Sequence, residues 1–479
     1  MKKIIALLLA LVLVLALAAC GEKPADTGDD AAPAGDDAAS GDDAAAGDDA
    51  AGGDDAASGD DAAAPAGYTG SADFDWSAYS GVDFEIMWQE TDDTQIQIVK
   101  EYAMPALQEI SDEYGINFTW VGNVDQSYTT LAATGELSDV WFGNVTLDMI
   151  QSDIMLNLTP YLTVDSYLED TYATPGFFFF NGNIWSLSTG VDSFYNGVLY
   201  YNRTLFAECG IEDDLSTFDK MVAACETLMA NGYMGLTISW GPWQHFGWSD
   251  AVLSVDVEAY RALISGDKTA FAVYGDAFAG SFDEIRTLLL GGYTPAALNV
   301  HETADSIADF TAGDCGMLYV QSWNNGSVQK GAEETGFDVG VAWWPVSNTG
   351  YQTGDYISSW GSPLSGWCAK ADTEYPELAV EVIKVINRAE AARHLAAGLG
   401  TNHVQEGTPT PTNDVEAQRF ELRANVIEFM TNWNETTCDA TTFTEFKDVV
   451  NTSLSEDDVD TADLVARLDA AWQTNTFFD

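Results

Sequence analysis

The chain has 479 residues, 46% of them hydrophobic, and so exceeds the size that a single hydrophobic core usually serves. With 76 acidic and 18 basic residues its formal charge is −58, which repels nucleic-acid phosphates and excludes a nucleic-acid partner. The same charge weakens attachment to anionic lipids, so contact with a membrane requires a hydrophobic or covalent anchor.

The N-terminus has the pattern of a secretory signal. Lys2 and Lys3 precede an apolar run over residues 4–19 that is short for a membrane-spanning helix. The run ends in small residues before Cys20, and this arrangement resembles the lipoprotein box of bacterial lipoproteins. The resemblance implies a signal peptide over residues 1–19 and a lipidated Cys20 that holds the protein on the outer face of the cell membrane. The alternative is an ordinary signal peptide cut near Ala19.

A low-complexity segment follows. Over residues 20–67 the motif Gly-Asp-Asp-Ala-Ala recurs with small variations, and no aromatic or branched apolar residue occurs. Such a segment cannot bury enough surface to offset the entropy of ordering it, so we predict a disordered tether. A calcium-binding acidic repeat is the alternative, although the carboxylates lack the spacing of a closed calcium loop.

Residues 68–479 form the predicted globular head. They keep 62 acidic and 15 basic residues, so the head is itself acidic at −47. The charge is typical of a solvated surface. A preference for cationic ligands is the alternative.

Residue types that support catalysis or cross-linking are sparse in the head. Its five cysteines form no Cys-x-x-Cys pair, which favours buried thiols, with a Cys209 to Cys225 disulfide as the alternative. No nucleophile elbow, phosphate loop or dinucleotide fingerprint is present, and the four histidines suggest no metal site. We therefore expect no enzyme activity, metal or cofactor. A glycoside hydrolase is the enzymatic alternative, because it needs only two carboxylates in an aromatic cleft.

The head begins with alternating β-type and helix-type segments. Residues 82–88 alternate like a strand, residues 95–114 have helical periodicity up to Gly115, and residues 116–121 predict the next strand. This β-α-β order predicts parallel pairing and an α/β fold class. Ligands bind beyond the carboxyl ends of strands in such sheets, and we place Trp88 and the segment 138–141 at such ends.

Four stretches of the head resemble the extracellular solute-binding proteins of sugar-type bacterial ABC importers, the family of the maltose-binding protein. They are Gly-Glu-Leu-Ser-Asp-Val at 135–140, Leu-Asn-Leu-Thr-Pro-Tyr-Leu at 156–162, Val-Leu-Tyr-Tyr-Asn-Arg-Thr-Leu-Phe at 198–206, and Phe-Thr-Ala-Gly-Asp-Cys-Gly-Met at 310–317 with Gln-Ser-Trp at 321–323. In the last stretch Asp314 and Gly316 replace the family's usual Lys and Ala. The order of the four stretches carries the resemblance.

The resemblance implies a two-lobe, periplasmic-binding-protein-like α/β fold with a hinge and an interlobe ligand cleft. Crossing segments are expected near residues 189–196 and 342–347. Lobe 1 would hold residues 68–190 plus 345–400, and lobe 2 residues 191–344 plus 401–479.

A sugar receptor needs flat aromatic rings for the apolar faces of the sugar and fixed polar groups for its hydroxyls. Trp185, Trp343 and Trp367 are assigned to packing. The predicted ligand-binding residues are Trp88, Asp139, Trp243, Trp323, Trp360, Tyr195 and Asn196.

The family implies a function as a receptor that delivers a mono- or oligosaccharide to the membrane permease of an ABC importer. Two alternatives stay open. One is a receptor for a cationic or peptide-like solute, and the other is a glycan-binding surface protein without an importer.

Overall fold

The computed structural model describes residues 68–90, 93–123, 127–172, 175–188, 197–242, 244, 247–295, 300–345, 347, 356–359, 364–396, 403, 411–423, 426–430, 433, 437–455 and 459–478. The strands in this part are β1 Asp83–Gln89, β2 Asn117–Asn123, β3 Val140–Asn144, β4 Gly197–Asn202, β5 Met234–Ile238, β6 Cys315–Gln321, β7 Val339–Ala342, β8 Tyr356–Ser359, β9 Ser365–Ala369 and β10 Val426–Met430. The α-helices are α1 Asp93–Ile98, α2 Met104–Tyr114, α3 Tyr128–Thr134, α4 Leu147–Gln151, α5 Thr159–Leu162, α6 Tyr167–Thr171, α7 Arg203–Cys209, α8 Phe218–Ala230, α9 Trp240–Pro242, α10 Trp248–Val255, α11 Val257–Ile264, α12 Ala270–Val273, α13 Gly275–Leu290, α14 Thr303–Thr311, α15 Asn325–Thr335, α16 Pro376–Ala396, α17 Asp414–Arg423, α18 Ala440–Ser455 and α19 Thr461–Gln473.

The first sheet contains four strands in the order β2-β1-β3-β9. The central strand β1 is parallel to β2 and β3, and β9 is antiparallel to β3. Phe84, Ile86 and Trp88 alternate along β1 and enter one core. The parallel pairing of β1 with β2 confirms the predicted β-α-β unit and the α/β class.

The helical region between β1 and β2 differs in detail from the predicted single helix. A π-helical turn, Val99–Ala103, joins α1 to α2, so that one helical segment extends from Asp93 to Tyr114. It ends where predicted, because Gly115 adopts the left-handed conformation (φ 73°) that glycine accommodates without strain.

The core of the first sheet combines buried residues from the range 68–187 with others from 367–386. The long helix α16 contributes Leu378, Ile383 and Ile386 to it. Trp367 of β9 is fully buried in this core, and its indole N–H donates to Glu390 Oε1 at 3.1 Å. The packing assignment of Trp367 is therefore confirmed.

The second sheet has the order β5-β6-β4-β7. Strand β5 is parallel to β6, and β4 is antiparallel to both β6 and β7. One face packs on a core built from residues 199–344 and 430–472, in which Trp248, Trp433 and Trp472 are almost fully buried. The other face packs on α14, α15 and α17 through residues such as Phe310 and Val415.

The unpaired edge of the outer strand β7 forms its hydrogen bonds with a side chain of α17. Gln418 of α17 accepts the Val341 N–H at 3.1 Å and donates to the Val339 carbonyl at 2.9 Å. Its carboxamide thus replaces a neighbouring strand at an edge that would otherwise leave backbone groups unpaired.

Strands β8 and β10 form a separate parallel pair. Each of the two four-stranded sheets has its own core, and the protein has the two-lobe α/β fold. The first predicted crossing, residues 189–196, lies outside the described residues. In the second predicted crossing, residues 342–347, the Trp344 ring packs edge-on against Tyr319 with centroids 5.2 Å apart, and the Ser347 N–H donates to the Ser254 carbonyl at 3.1 Å. The borders of the lobes remain predictions.

Candidate ligand-binding site

The carboxyl ends of the parallel strands β1, β2 and β3 lie at one edge of the first sheet, where open α/β sheets bind ligands. The strands end at Gln89, Asn123 and Asn144, and Ser365 begins β9 directly opposite Asn144. The Ser365 hydroxyl donates to Asn144 Oδ1 at 2.7 Å. We call these four residues the first edge. Their side chains are all neutral amides or hydroxyls.

The hydroxyl of Tyr128, on α3, is hydrogen-bonded to side chains of the first edge. Its hydroxyl donates to the Phe142 carbonyl and is hydrogen-bonded by the side chains of Asn123 and Gln89. Burial raises the pKa of Tyr128, and the two amide hydrogen bonds oppose that rise. Its ring lies over Gly143, where a Cβ would stand 2.3 Å from Tyr128 Cε2. A glycine at 143 is therefore required for the ring to hold the two amides in place.

The second sheet presents a comparable edge. Because β4 is antiparallel to β6 and β7, the strands β5, β6 and β7 all end on the same side. Gln321 ends β6 and is followed by the 3-10 turn Ser322–Asn324, which contains Trp323. We call Gln321 and this turn the second edge. The backbone of Trp323 is therefore at a strand end, as the family resemblance implies, while its side chain lies outside what the structure describes.

Trp88 packs in a core and Asp139 forms hydrogen bonds within the protein. Trp88 is 3% exposed in the first core, because the alternation along β1 directs it inward. Asp139 precedes β3 instead of following a strand, so the predicted carboxyl-end position of segment 138–141 is wrong. The Asp139 carboxylate accepts the Glu85 N–H at 3.2 Å and the Thr373 hydroxyl at 2.9 Å, and lies 3.5 Å from Lys370 Nζ. A ligand contact by either residue stays a prediction.

The other predicted site residues cannot be placed. Trp243, Trp360, Tyr195 and Asn196 lie outside the described residues, as does Cys20.

Reasoning from sequence missed the amides of the first edge. Each is the last polar residue of its strand, and that position was the available signal. Tryptophan was the residue type expected to bind the sugar. In β1 the tryptophan and the edge amide are neighbours, Trp88 and Gln89, and their side chains point to opposite faces of the sheet.

A recess of about 190 Å³ lies beside β7 and the second crossing, and Trp343 contributes to its lining. Asp213 and Asp214 also line it, but both carboxylates are paired. Asp213 Oδ2 is 3.1 Å from Arg203 Nε, and the hydrogen bond from Lys220 lowers the pKa of Asp214 to about 2. The recess therefore offers no uncompensated carboxylate to a cation.

The cysteines of the head are free thiols. Cys225, Cys315, Cys368 and Cys438 are buried and Cys209 is partly buried, so the predicted buried thiols are confirmed and Cys209 forms no bridge to Cys225. Burial raises the pKa of the Cys315 thiol to about 12. The described residues contain no group of three His, Cys, Asp or Glu side chains arranged to hold a metal ion. Within the same part of the chain, every helix is too short or too polar to cross a bilayer.

Several solved structures share this fold. One comes from work on xylan utilization by the thermophilic bacterium Caldanaerobius polysaccharolyticus (TM-score 0.64, 15% identity, 81% of this chain and 99% of that chain covered). A chitin oligosaccharide binding protein has a TM-score of 0.64 at 17% identity, with 82% and 98% covered. A Streptococcus pneumoniae solute-binding protein in complex with the blood group A-trisaccharide has a TM-score of 0.61 at 16% identity, with 82% and 100% covered.

Sequence comparison identifies the family. No curated protein sequence matches the chain. Residues 93–393, more than half of the chain, match the family model described as bacterial extracellular solute-binding protein. This range includes the first and second edges almost completely, and the match confirms the family that the four sequence stretches indicate. The chain belongs to the family of bacterial extracellular solute-binding proteins.

Proposed function

We propose that the chain is an extracellular, lipid-anchored receptor that binds a carbohydrate and delivers it to the permease of an ABC importer. The chemistry of the first edge carries the proposal. Gln89, Asn123, Asn144 and Ser365 can each donate and accept hydrogen bonds. Sugar hydroxyls do the same, so they pair with these side chains without leaving a buried charge uncompensated.

Proteins of similar fold support a carbohydrate ligand. They include the chitin oligosaccharide binding protein, the protein in complex with the blood group A-trisaccharide, and a solute-binding protein in complex with raffinose. Family membership supports binding over catalysis. We propose Trp243, Trp323 and Trp360 as stacking residues, with Tyr195 and Asn196 as polar contacts. Trp88 and Asp139 have weaker support, because packing and hydrogen bonds within the fold already use them.

Two other functions remain as alternatives. A cationic or peptide-like solute is motivated by the acidic head, but the carboxylates of the recess beside β7 are already paired with Arg203 and Lys220. A glycan-binding surface protein without an importer would use the same edge chemistry. A permease gene beside the gene for this chain would favour the importer.

The first experiment is a thermal-shift screen of the chain without residues 1–19 and with Cys20→Ser. Raffinose, stachyose and oligosaccharides of chitin and xylan should be compared with polyamines and amino acids. We expect one sugar class to raise the melting temperature, because a ligand that binds only the native state stabilises it. In the variant Trp323→Ala we expect folding to persist and affinity to fall by about tenfold or more, as for the loss of one stacked aromatic ring. A shift with polyamines alone, or cleavage of the sugar, would overturn the proposal.

The anchor is tested separately. In the full-length chain produced in a bacterial host fed with radiolabelled palmitate, the wild-type protein should take up the label and the Cys20→Ser variant should not, because the thioether-linked lipid group cannot form on serine. Ala18→Gly leaves a small residue before the cysteine and serves as the control. Absence of label from the wild-type protein, or equal labelling of the Cys20→Ser variant, would contradict the proposed anchor.

A further inference from the structure

The last residue of β6 carries a buried side chain without hydrogen-bond partners. Gln321 is 1% exposed, and neither its Oε1 nor its Nε2 has a partner among the described residues. Most buried side-chain polar atoms in proteins are paired, so an amide with both ends unpaired needs an explanation.

The position of Gln321 is set by β6. Side chains alternate along the strand, so Gln321 lies on the same face as Met317 and Tyr319, which belong to the core of the second sheet. On β4 its register partner is Gly197, which has no side chain to offer a hydrogen bond. On the other side β5 ends at Ile238, and Trp240 lies two residues further along the chain. Gln321 is therefore the last residue on this face of β6 and carries a carboxamide where the residues before it pack in the core.

Nearby polar groups are engaged elsewhere. The Asn324 amide donates to the backbone carbonyl of Gln321 at 3.1 Å and not to its side chain. The Tyr319 hydroxyl, two residues earlier on the same face, donates to Asp250. The fold thus supplies the backbone of Gln321 with a partner and leaves its carboxamide without one.

We propose that the missing partner is the ligand, and that the Gln321 carboxamide binds two neighbouring hydroxyls of a sugar at the second edge. This inference rests on the proposed function and extends it to a specificity residue in the second lobe. An NH₂ group donates to one hydroxyl while the carbonyl accepts from the other, so a diol satisfies both ends. An ammonium group only donates and a carboxylate only accepts, so each would leave one end of the amide unpaired.

The proposal predicts effects of opposite sign on stability and binding. Without ligand, the unpaired amide destabilises the fold, because it has lost water and gained no partner. Methionine has a similar length and no polar hydrogen-bonding group at its end. Gln321→Met should therefore stabilise the free protein and weaken sugar binding.

We would measure both effects in the full chain without residues 1–19 and with Cys20→Ser, using the sugar of the thermal-shift panel that gives the largest shift. For Gln321→Met we expect the melting temperature of the free protein to rise by about 1 to 4 °C. The dissociation constant should increase by roughly 10- to 100-fold, as for two lost hydrogen bonds.

Gln418→Met is the matched control. It removes a paired amide from the same lobe, so it should lower the melting temperature and leave the dissociation constant unchanged. A fall in melting temperature with Gln321→Met would mean that the amide is already paired, for example by a buried water, and would overturn the proposal.

Unchanged affinity in Gln321→Met, with the wild type binding the sugar, would overturn the diol contact and leave the proposed function intact. A wild type that binds a polyamine and no sugar would reject both. The two failures are therefore distinguishable.

Discussion

Replacing Lys384 with methionine should destabilise the protein by roughly 3 to 5 kcal/mol, as expected when one partner of a buried ion pair is removed. The Lys384 side chain is 1% exposed, and its ammonium lies 2.8 Å from Glu381 Oε1. It also donates to the Tyr68 hydroxyl at 2.9 Å and to Ser71 Oγ at 2.7 Å. Without Lys384 the Glu381 carboxylate would stay buried with no cation beside it. The free energy of unfolding in urea gives the measurement.

Two controls show whether the loss of stability comes from leaving a buried charge without its partner. Lys330 and Glu334 form a pair 4.0 Å apart whose side chains are 77% and 70% exposed, so Lys330→Met should change stability by less than about 1 kcal/mol. The double variant Glu381→Met with Lys384→Met should recover much of the loss, because no buried charge remains. A loss of equal size in Lys330→Met and Lys384→Met would contradict the prediction.

The same cluster holds the start of the described chain to the first lobe. Tyr68 is 8% exposed, donates to Glu381 at 2.5 Å and packs edge-on against Tyr161. Burial, and then the charge of Glu381, raise the pKa of Tyr68, so its phenol remains a donor. Ser71 adds a backbone N–H bond to Asp165 at 3.1 Å. The predicted tether therefore continues into a segment that is fixed to lobe 1 by Lys384, and Lys384→Met should also make residues 68–71 more accessible to proteases.

Local patterns predicted the elements of the first lobe well, because alternation and helical periodicity are strong there. The strand predicted at 82–88 is observed at Asp83–Gln89, and Gly115 ends the helical segment as expected. The π-helical turn Val99–Ala103 could not be predicted, since the sequence keeps an apolar pattern through it. Helix α16 is continuous from Pro376 to Ala396, because no glycine or further proline interrupts it.

The candidate site was harder to predict than the fold. Which of two consecutive residues faces a core depends on sheet register, and one position separates Trp88 in the core from Gln89 at the edge. Asp139 was identified as functional from its residue type, yet its backbone and side-chain partners, Glu85 and Thr373, come from distant parts of the chain. Hydrogen bonds between distant segments leave no local pattern in a sequence.

Departures from the family pattern also acquire a reason only in three dimensions. Gly316 stands where the family usually has alanine, and a Cβ there would lie 2.1 Å from Leu228 Cδ1. The Leu228 side chain thus occupies the space that the methyl group of an alanine at position 316 would need. Asp314, in place of the usual lysine, is exposed and leaves the strand that follows it undisturbed.

The acidic residues also differ from what the composition alone predicts. The high content of Asp and Glu predicted a solvated surface, and a composition cannot show which carboxylates are buried. Glu284 is 8% exposed and Glu416 is 3% exposed. Burial raises the pKa of Glu416 to about 7, against the hydrogen bond from Asn325. Arg419 Nη2 also lies 2.7 Å from Glu416 Oε2 and favours the ionised form of this carboxylate. Burial thus raises the pKa of individual carboxylates although most acidic residues belong to the solvated surface.

Glu284→Gln should stabilise the protein at alkaline pH and leave its stability at pH 4 almost unchanged. Burial is the main cause that raises the pKa of Glu284 from 4.5 to about 8, although the Ser254 hydroxyl donates to its carboxylate at 2.8 Å. Because the folded protein binds this proton more tightly than the unfolded chain, this contribution to stability is complete below pH 4.5. It is lost as the pH rises to about 8, and by linkage the shift corresponds to roughly 3 to 5 kcal/mol.

The difference in unfolding free energy between wild type and Glu284→Gln, measured from pH 4 to pH 9, isolates this group from the titration of the acidic surface. Asp283→Asn removes one exposed charge from the adjacent position, so its difference from the wild type should vary little over that range. Equal pH profiles for the two variants would contradict the assignment. Ser254 also joins Glu284 to Ser347 of the predicted second crossing, because its carbonyl accepts the Ser347 N–H. Ionisation of Glu284 therefore places a charge one residue, Ser254, away from a segment that the family resemblance predicts to connect the two lobes.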